Sequence, residues 1–367
     1  MTALDRSPAV TVLERWEDLE SLGPEWDELL RDADGAGIFL THAWVAAWAA
    51  TVGAETRPMV AVAREAAGGR LVGIAPLMVT RGRRGGVAYD TLRMAGSGLA
   101  AADHLDLIVR HGHPHVVAEL WRAVSQRRTW EVVDLQGLRP ASHLSRLLLR
   151  RRGDRAAFAS PMPCPVLDLP DTWEEYVAGL GRNLRTNLGR YGRKLDREAP
   201  APVVERLVTD PAEAADTAVE LALLNERNRR ERGSSGSFAD PRMVDLHREA
   251  AVRMLEAGRL RLHRLDVGDR MIAGISCFRH DDTVSFYVTG FTPDYGRYGP
   301  GRRVIAAAIR GAIEEGAGRF DFLRGAEEYK STWGAVPIDD DRIRFPIGAR
   351  ARLAAQVIGA ARRLLRR

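Results

Sequence analysis

The sequence has very little lysine. Only two of its 54 basic residues are lysines, Lys194 and Lys330, and the others are arginines. Such an imbalance indicates a coding bias before it indicates any ligand chemistry. The net charge of +5 mildly favours anionic partners such as nucleotide, phosphate or tRNA, and a solvated basic surface is the alternative.

Cysteine is also scarce. Cys164 and Cys277 form no spacing motif, which argues against a cysteine-ligated metal site or a paired redox site. Cys277 lies in an apolar run of strand length, so we expect it to be a small buried side chain. Cys164 lies between Pro163 and Pro165, which indicates a linker.

Long apolar runs are missing. No stretch approaches the ~20 apolar residues of a membrane-spanning helix, and the first residues lack the apolar core of a signal peptide. We therefore expect a cytoplasmic protein, whose 367 residues suit two domains. A basic amphipathic helix is predicted over 349–367; it packs on the domain, contacts an anionic membrane surface, or contacts a partner.

Residues 259–334 carry the clearest structural pattern. Alternating and β-branched runs predict strands, and Gly268-Asp269 suits a tight hairpin turn between the first two. Residues apolar at helical spacing follow, and Gly316 suits the helix stop. The predicted elements are strands Arg259–Val267, Met271–Phe278 and Val284–Phe291, a helix from Arg303 to Glu315, and a strand Arg319–Leu323.

A glycine-rich loop leads into this helix. Gly299 and Gly301 allow backbone N–H groups to approach an anion, and the helix start adds the positive end of its dipole. Arg297, Arg302 and Arg303 add positive charge. The loop predicts a site for a pyrophosphate; a plain turn before a helix is the alternative.

These elements resemble the core of the GNAT N-acyltransferases. In detail, the chain resembles the branch described as cellulose- or exopolysaccharide-biosynthesis acetyltransferase-like proteins, which is related to the Fem peptidyltransferases. The motifs that carry this resemblance are 39–44, Trp48, 182–190, 229–233, 238–241, 287–290, Pro300-Gly301, 320–325, Tyr329-Lys330 and Trp333-Gly334.

The resemblance implies an acyl-CoA donor, most simply acetyl-CoA. It places Tyr287, Val288 and Thr289 where the sheet splays and presents backbone groups to the donor. The loop departs from the usual GNAT pattern, because it is one residue shorter and Pro300 lies between its glycines. Proline removes one N–H donor, so an aminoacyl-tRNA donor of the Fem type stays open beside coenzyme A.

The N-terminal half repeats the same order of elements. It lacks the Gly-Pro-Gly entry to its helix and has His111, His113 and His115 there instead, which indicates a plain loop without a metal site. The predicted fold class is α/β, with two tandem GNAT-like domains, each a mixed, mostly antiparallel sheet flanked by helices. The predicted domains are 1–165, a degenerate copy, and 166–348, the acyltransferase domain. The predicted elements of the first copy are strands Met59–Ala63, Leu71–Val79, Thr91–Ala95 and Leu105–Val109, a helix Pro114–Ser125 and a strand Trp130–Leu135.

The residues after the last strand are the catalytic candidates. Tyr329 follows that strand as the general-acid tyrosine often does in GNAT enzymes, and Lys330 suits a phosphate or an acceptor carboxylate. Glu327, Glu328, Asp321 and Glu226 are candidate bases, because a carboxylate can accept the proton of an attacking amine. Packing of Tyr329 near Trp333 is the alternative.

Two further segments remain ambiguous. The basic run from Arg182 to Lys194 is a solvated helix face, a wall of the acceptor groove or, less readily, a nucleic-acid contact. The Gly/Ser-rich residues 233–237 are a linker or a lid over the site.

The sequence therefore predicts an enzyme that transfers an acyl group to an amine or hydroxyl of a sugar-like or amino-acid-like acceptor. A transferase that uses aminoacyl-tRNA and a non-catalytic binding protein in polysaccharide assembly are the alternatives.

Overall fold

The chain forms two compact units in a computed structural model. The first unit comprises residues 1–162 with 339–367, and the second comprises 163–338. The predicted second domain, 166–348, therefore runs past the end of the second unit. The predicted helix over 349–367 lies outside the described residues, which are 8–66, 68–84, 87–127, 129–152 and 158–348.

Helices and runs of consecutive strands are interspersed along the chain. The strands are β1 Ala9–Val12, β2 Arg57–Pro58, β3 Ala61–Arg64, β4 Leu71–Ala75, β5 Leu77–Arg84, β6 Val87–Met94, β7 Ile108–Val109, β8 Val132–Leu138, β9 Phe158–Asp168, β10 Val203–Leu207, β11 Leu260–Val267, β12 Arg270–His280, β13 Thr283–Phe291, β14 Arg319–Asp321 and β15 Val336–Pro346. The α-helices are α1 Gly23–Arg31, α2 His42–Ala50, α3 Val116–Arg127, α4 His143–Arg152, α5 Trp173–Gly179, α6 Arg182–Glu198, α7 Pro211–Glu231, α8 Pro241–Glu256, α9 Pro300–Glu314 and α10 Glu328–Thr332. Within the described residues, no helix is both long and apolar enough to cross a membrane.

The first unit contains two mostly antiparallel arrangements of strands. One has the order β1-β3-β4-β7, and the other has the order β15-β8-β6-β5-β2. In the second arrangement β6 and β8 are parallel, and helix α3 lies between them in the chain. Strand β15 enters this unit because Asp341–Pro346 pairs antiparallel with Val132–Leu138.

The second unit likewise contains one parallel pair of strands joined by a helix, but its strands form a single row. Its strands follow the order β10-β11-β12-β13-β14-β9, and β13 and β14 are the parallel pair. Helix α9 connects that pair and buries Val304, Ile305, Ala308, Ile309, Ala312 and Ile313, as its apolar spacing predicts. The fold class predicted from the sequence is therefore confirmed: two tandem GNAT-like domains of mixed, mostly antiparallel sheets with flanking helices.

Several predicted boundaries moved for local reasons. Helix α9 begins at Pro300 rather than Arg303, because proline is favourable at the first helical position. Strand β14 ends at Asp321, since Leu323 adopts a φ of 54°. The predicted strand Leu71–Val79 is wrong as one element. It divides at Pro76 into β4 and β5, which belong to different arrangements.

The proline-rich segment around Cys164 is a strand, so the linker prediction is wrong. Its prolines alternate at Pro161, Pro163 and Pro165, so the missing N–H groups all lie on one edge. The neighbouring segment needs only hydrogen-bond acceptors from that edge. The carbonyl oxygens of Pro165 and Pro163 accept hydrogen bonds from the N–H groups of Phe322 and Gly325. Cys164 is fully buried in this strand.

Candidate functional site

The parallel strands of the second unit separate after a short paired stretch. Thr283–Ser285 of β13 pairs with Arg319–Asp321 of β14, whereas β13 continues to Phe291 paired with β12 but not with β14. A β-bulge adds to the divergence, because Val288 opposes Ser276 while Phe286 opposes Cys277. Bulges bend a strand and end its pairing. An open splay therefore forms beyond Ser285.

The residues predicted to meet the donor lie at this splay, but their side chains are engaged in packing. The Tyr287 ring stacks on His247 at 5.6 Å, and Val288 is buried. The Thr289 hydroxyl donates to the carbonyl oxygen of Gly274. These residues can therefore meet a donor mainly through their backbone.

Two asparagines that the sequence analysis missed cover part of this backbone. The Asn225 amide donates to the carbonyl oxygen of Thr289 at 2.7 Å. Asn228 donates to the carbonyl oxygen of Phe291 at 2.7 Å and accepts from its N–H at 2.9 Å. They pair as a neighbouring strand would, because an amide side chain is both donor and acceptor. Their spacing of three on α7 was the available signal. An acyl donor cannot pair with the backbone of Thr289 or Phe291 unless the two asparagine side chains move away.

The glycine-rich loop has the backbone geometry of an anion site. Gly299 has a φ of 60° and precedes helix α9, a conformation that favours glycine. The N–H groups of Arg302 and Arg303 both point to the carbonyl oxygen of Gly299, at 3.0 and 3.3 Å. Pro300 has no N–H. Within the described residues, the Gly301 N–H is the donor left without a partner at this helix start.

The three predicted arginines of the loop differ in what they do. Arg303 makes ion pairs with Asp196 at 2.7 Å and Glu205 at 2.9 Å. Arg297 lies over the Tyr298 ring, 4.7 Å from its centroid, and donates to its hydroxyl. Arg302 is exposed and makes no ion pair with a described residue. Arg302 is thus the loop guanidinium that has no partner among the described residues.

A cleft of about 120 Å³ lies at this loop. The basic helix α6 forms one wall, with the Tyr191 ring 3.7 Å from the position that a Cβ at Gly299 would occupy. Arg190 lies 4.8 Å from the centroid of that ring and donates to its hydroxyl. The basic run predicted from the sequence thus lies beside the donor loop. The cleft is lined by Asn187, Leu188, Tyr191, Gly192, Tyr298, Gly299, Arg302, Arg303 and Ala306.

Lys330 is buried and fully engaged. Its ammonium donates to the carbonyl oxygens of Leu323, Arg324 and Gly325 at 3.1, 2.9 and 3.2 Å. It also lies 2.9 Å from a carboxylate oxygen of Glu327. An ammonium has three N–H donors, so none remains for a phosphate or an acceptor carboxylate. The geometry favours a structural role over the predicted substrate contact.

Two of the candidate bases are likewise committed to the fold. Asp321 is buried and accepts the N–H of Leu323 at 2.8 Å, which supports the turn after β14. Glu226 is buried and accepts the N–H of Gly236 and the Nε of Arg230, each at 3.0 Å. Neither carboxylate is placed as a free proton acceptor.

Glu327 and Glu328 differ in their surroundings. Burial opposes ionisation of Glu327, but the hydrogen bond and charge of Lys330 outweigh it and hold the pKa of this carboxyl below its ordinary value. A general base works best with a pKa near the operating pH, so Glu327 is the poorer candidate. Glu328 is exposed at the start of α10 and pairs with no described residue.

Tyr329 keeps its phenol protonated and partly open to solvent. Its side chain is 40% exposed and its ring meets Phe322 edge to face at 6.5 Å. Partial burial and then the charge of Glu327 raise the pKa of the phenol, which Arg229 and Arg232 oppose. A phenol held in its neutral form can donate a proton at ordinary pH.

Comparison with known proteins agrees with this architecture. Residues 182–331, which include the cleft, the splay and Tyr329, match the family model described as Acetyltransferase (GNAT) domain. The second unit therefore contains an acyltransferase domain. The predictions of a GNAT-like fold and of an acyltransferase enzyme are confirmed at that level.

Solved structures show the same fold over most of the chain. The structure of FemX has a TM-score of 0.60 at 9% identity, covering 88% of this chain and 96% of that one. A conserved protein of unknown function from Bacteroides thetaiotaomicron VPI-5482 has a TM-score of 0.54 at 12% identity, covering 93% and 100%. L-PGS from Bacillus licheniformis has a TM-score of 0.51 at 11% identity, covering 94% and 97%. No curated protein matches the sequence.

Proposed function

We propose that the second unit transfers an acyl group from a phosphate-bearing donor, most simply acetyl-CoA, to an amine or hydroxyl of a sugar-like or amino-acid-like acceptor. The start of helix α9 carries this proposal, because Arg302 lines the cleft there without an ion pair to a described residue, and the Gly301 N–H at the same helix start has no partner among the described residues. A helix start that presents a backbone N–H and a cation suits a pyrophosphate.

The chemistry then proceeds at the splay. The acceptor amine attacks the carbonyl carbon of the donor, a C–N bond forms, and the C–S bond breaks. Tyr329 gives its proton to the leaving thiolate, and Glu328 accepts the proton of the amine, directly or through water. Lys330 and Asp321 hold the segment that carries these residues.

A Fem-type transferase that uses aminoacyl-tRNA is the second candidate. Helix α6 favours it, because Arg182 and Arg193 are exposed beside the donor cleft and pair with no described carboxylate. A tRNA donor would bind with a steep dependence on salt, since each phosphate contact releases counterions. Binding of acetyl-CoA that is insensitive to competing tRNA would favour the first candidate.

Gly301→Asp is expected to weaken binding of acetyl-CoA at least tenfold. The substitution places a carboxylate where the donor phosphate would lie, whereas an acidic residue in the first turn stabilises the helix itself. Gly301→Ala is the matched control, because both variants bring a Cβ to 3.1 Å from the Phe291 ring but only one brings charge. If calorimetry gives equal affinities for the two variants, the donor phosphate does not bind at this loop.

One donor is expected to bind per chain. The first unit has no Gly-Pro-Gly step, and at the start of α3 the N–H of Val116 is already bonded to the carbonyl oxygen of His113. His115→Asp, which adds an anion just before α3, should leave donor affinity unchanged. A calorimetric titration that shows two equivalent sites would contradict this asymmetry.

The wider setting of the reaction also stays a prediction. From the sequence we expect the polysaccharide-biosynthesis branch and a cytoplasmic location, and for 349–367 a helix that packs on the domain, contacts an anionic membrane surface or contacts a partner. Donor binding by the second unit depends on none of these.

A further inference from the structure

Four arginines lie at the end of helix α7. Two are ion-paired, and two make no ion pair with a described residue. Arg227 pairs with Glu231 at 3.1 Å, and Arg230 pairs with Glu226 at 3.0 Å. Arg229 and Arg232 make no ion pair or side-chain hydrogen bond with any residue in the described ranges. They are three residues apart and therefore lie on the same side of the helix, where like charges repel. Positively charged side chains stabilise a helix C-terminus, but Arg227 and Arg230 already provide positive charge there.

The Gly/Ser-rich segment fixes the position of one of these arginines. The buried carboxylate of Glu226 accepts the N–H of Gly236 at 3.0 Å, and the N–H of Ser234 donates to the carbonyl oxygen of Arg229. A Cβ at Gly236 would lie 2.5 Å from Cδ of Arg229. The segment thus packs closely on the Arg229 side chain and restricts it before any ligand arrives. A side chain that is already restricted loses less conformational entropy when a ligand binds.

Both arginines lie on the side of helix α7 that meets the splay, because each follows an asparagine of that side by four residues. Asn225 and Asn228, in the preceding turn of α7, bind the free edge of β13 at the splay. Arg229 and Arg232 follow them, and both act electrostatically on Tyr329, while Arg229 also acts on Glu327. Two guanidiniums without an ion pair to a described residue therefore lie on the side of the helix that meets the splay, where their charge acts toward the exposed Tyr329.

We propose that Arg229 and Arg232 bind an anionic group of the acceptor, a carboxylate or a phosphate, and so hold its amine or hydroxyl near Tyr329. This inference rests on the proposed acyltransferase function and names the class of acceptor. Two guanidiniums present several N–H donors at fixed angles, a geometry that matches the oxygens of either anion. The acceptor is accordingly an amino acid or an amino sugar phosphate rather than a neutral sugar.

Two matched pairs of acceptors test the inference by calorimetry with the full chain and no donor. One pair is L-alanine and L-alaninamide, and the other is glucosamine 6-phosphate and glucosamine. In one pair, the member that carries the carboxylate or phosphate is expected to bind about tenfold or more tightly than the member that lacks it, a range typical of a charge-assisted hydrogen bond. The pair that shows the preference distinguishes a carboxylate from a phosphate.

Variants locate the effect. The double variant Arg229→Gln/Arg232→Gln is expected to lose the preference while binding the member without the carboxylate or phosphate as before. Arg227→Gln removes one charge from the same helix end and should keep it. No preference in the wild type, no binding of any of the four compounds, or a preference that survives the double variant would each overturn the proposal. Because the donor is absent, a failed donor site at Gly301 would leave these results unchanged.

Discussion

Lys330→Met is expected to destabilise the second unit by about 2–4 kcal/mol, because it leaves the carbonyl oxygens of Leu323, Arg324 and Gly325 without their donor. The side chain of Lys330 is 4% exposed, so water cannot readily replace the ammonium. A fall in Tm of roughly 5–10 °C follows for a unit of this size. Activity per folded molecule is expected to remain near normal.

The chain offers its own control for this change. Lys194, the other lysine, lies 5.6 Å from the centroid of the Tyr298 ring on an exposed helix. Lys194→Met should cost at most about 1 kcal/mol, the range of an exposed cation–π contact. Lys330→Arg should also destabilise, because a planar guanidinium cannot replace a compact ammonium among three carbonyl oxygens. A Lys330→Met protein with an unchanged Tm and a raised acceptor KM would restore the substrate role predicted from the sequence.

The ion pair of Lys330 also predicts a pH effect. Lys330 holds the pKa of Glu327 below its ordinary value. The pair therefore stabilises the fold above the unfolded pKa of about 4.3, and this contribution is lost as the pH falls through the lower, folded value.

The glycine-rich loop before α9 is visible in the sequence because its signal is local. Gly299, Pro300 and Gly301 are adjacent, and a positive φ followed by proline at the first helical position leads to one backbone geometry. The hairpin at Gly268 is predicted for the same reason, since its two strands are joined by a turn that glycine favours.

The rest of the site depends on partners that are distant in the chain. Asn225 binds Thr289, and Arg229 acts on Tyr329, across separations that no local pattern marks. For Lys330, too, the sequence could not show the partner of the side chain. Its rarity and its position in a motif suggested substrate contact, whereas its partners are the carbonyl oxygens of the turn that folds back over it. Charge type is visible in a sequence, but the group that neutralises a charge is set by the tertiary fold.

The proline strand shows how local rules can also mislead. Pro161, Pro163 and Pro165 normally interrupt a strand, because each lacks a hydrogen-bond donor. Their alternation places all three gaps on one edge, where the neighbouring segment supplies N–H groups and needs only acceptors. Each proline still lacks an N–H group, but with this spacing the loss does not interrupt the strand.

Tyr329→Phe is expected to lower kcat by roughly ten- to a thousandfold, the range for a lost proton donor, with little change in Tm. Its hydroxyl has no hydrogen bond to a described residue, and the ring contact with Phe322 survives in phenylalanine. Donor affinity should remain unchanged, because the proposed phosphate site is the loop at Gly299. Steady-state kinetics and thermal unfolding of the same preparations check both parts.

The matched control is Tyr176→Phe, which removes a buried hydroxyl that donates to the carbonyl oxygen of Trp333 at 2.9 Å. That variant should lower Tm while leaving kcat per folded molecule near the wild-type value, the opposite pattern to Tyr329→Phe. The wild-type rate should also show no loss from this phenol up to about pH 10, because the raised pKa of Tyr329 keeps it protonated beyond the ordinary value. A lower Tm with normal turnover for Tyr329→Phe would show that the tyrosine only packs against the strand. Glu328 would then be the first residue to examine for proton transfer, since it is exposed on the same short helix and is not held by Lys330.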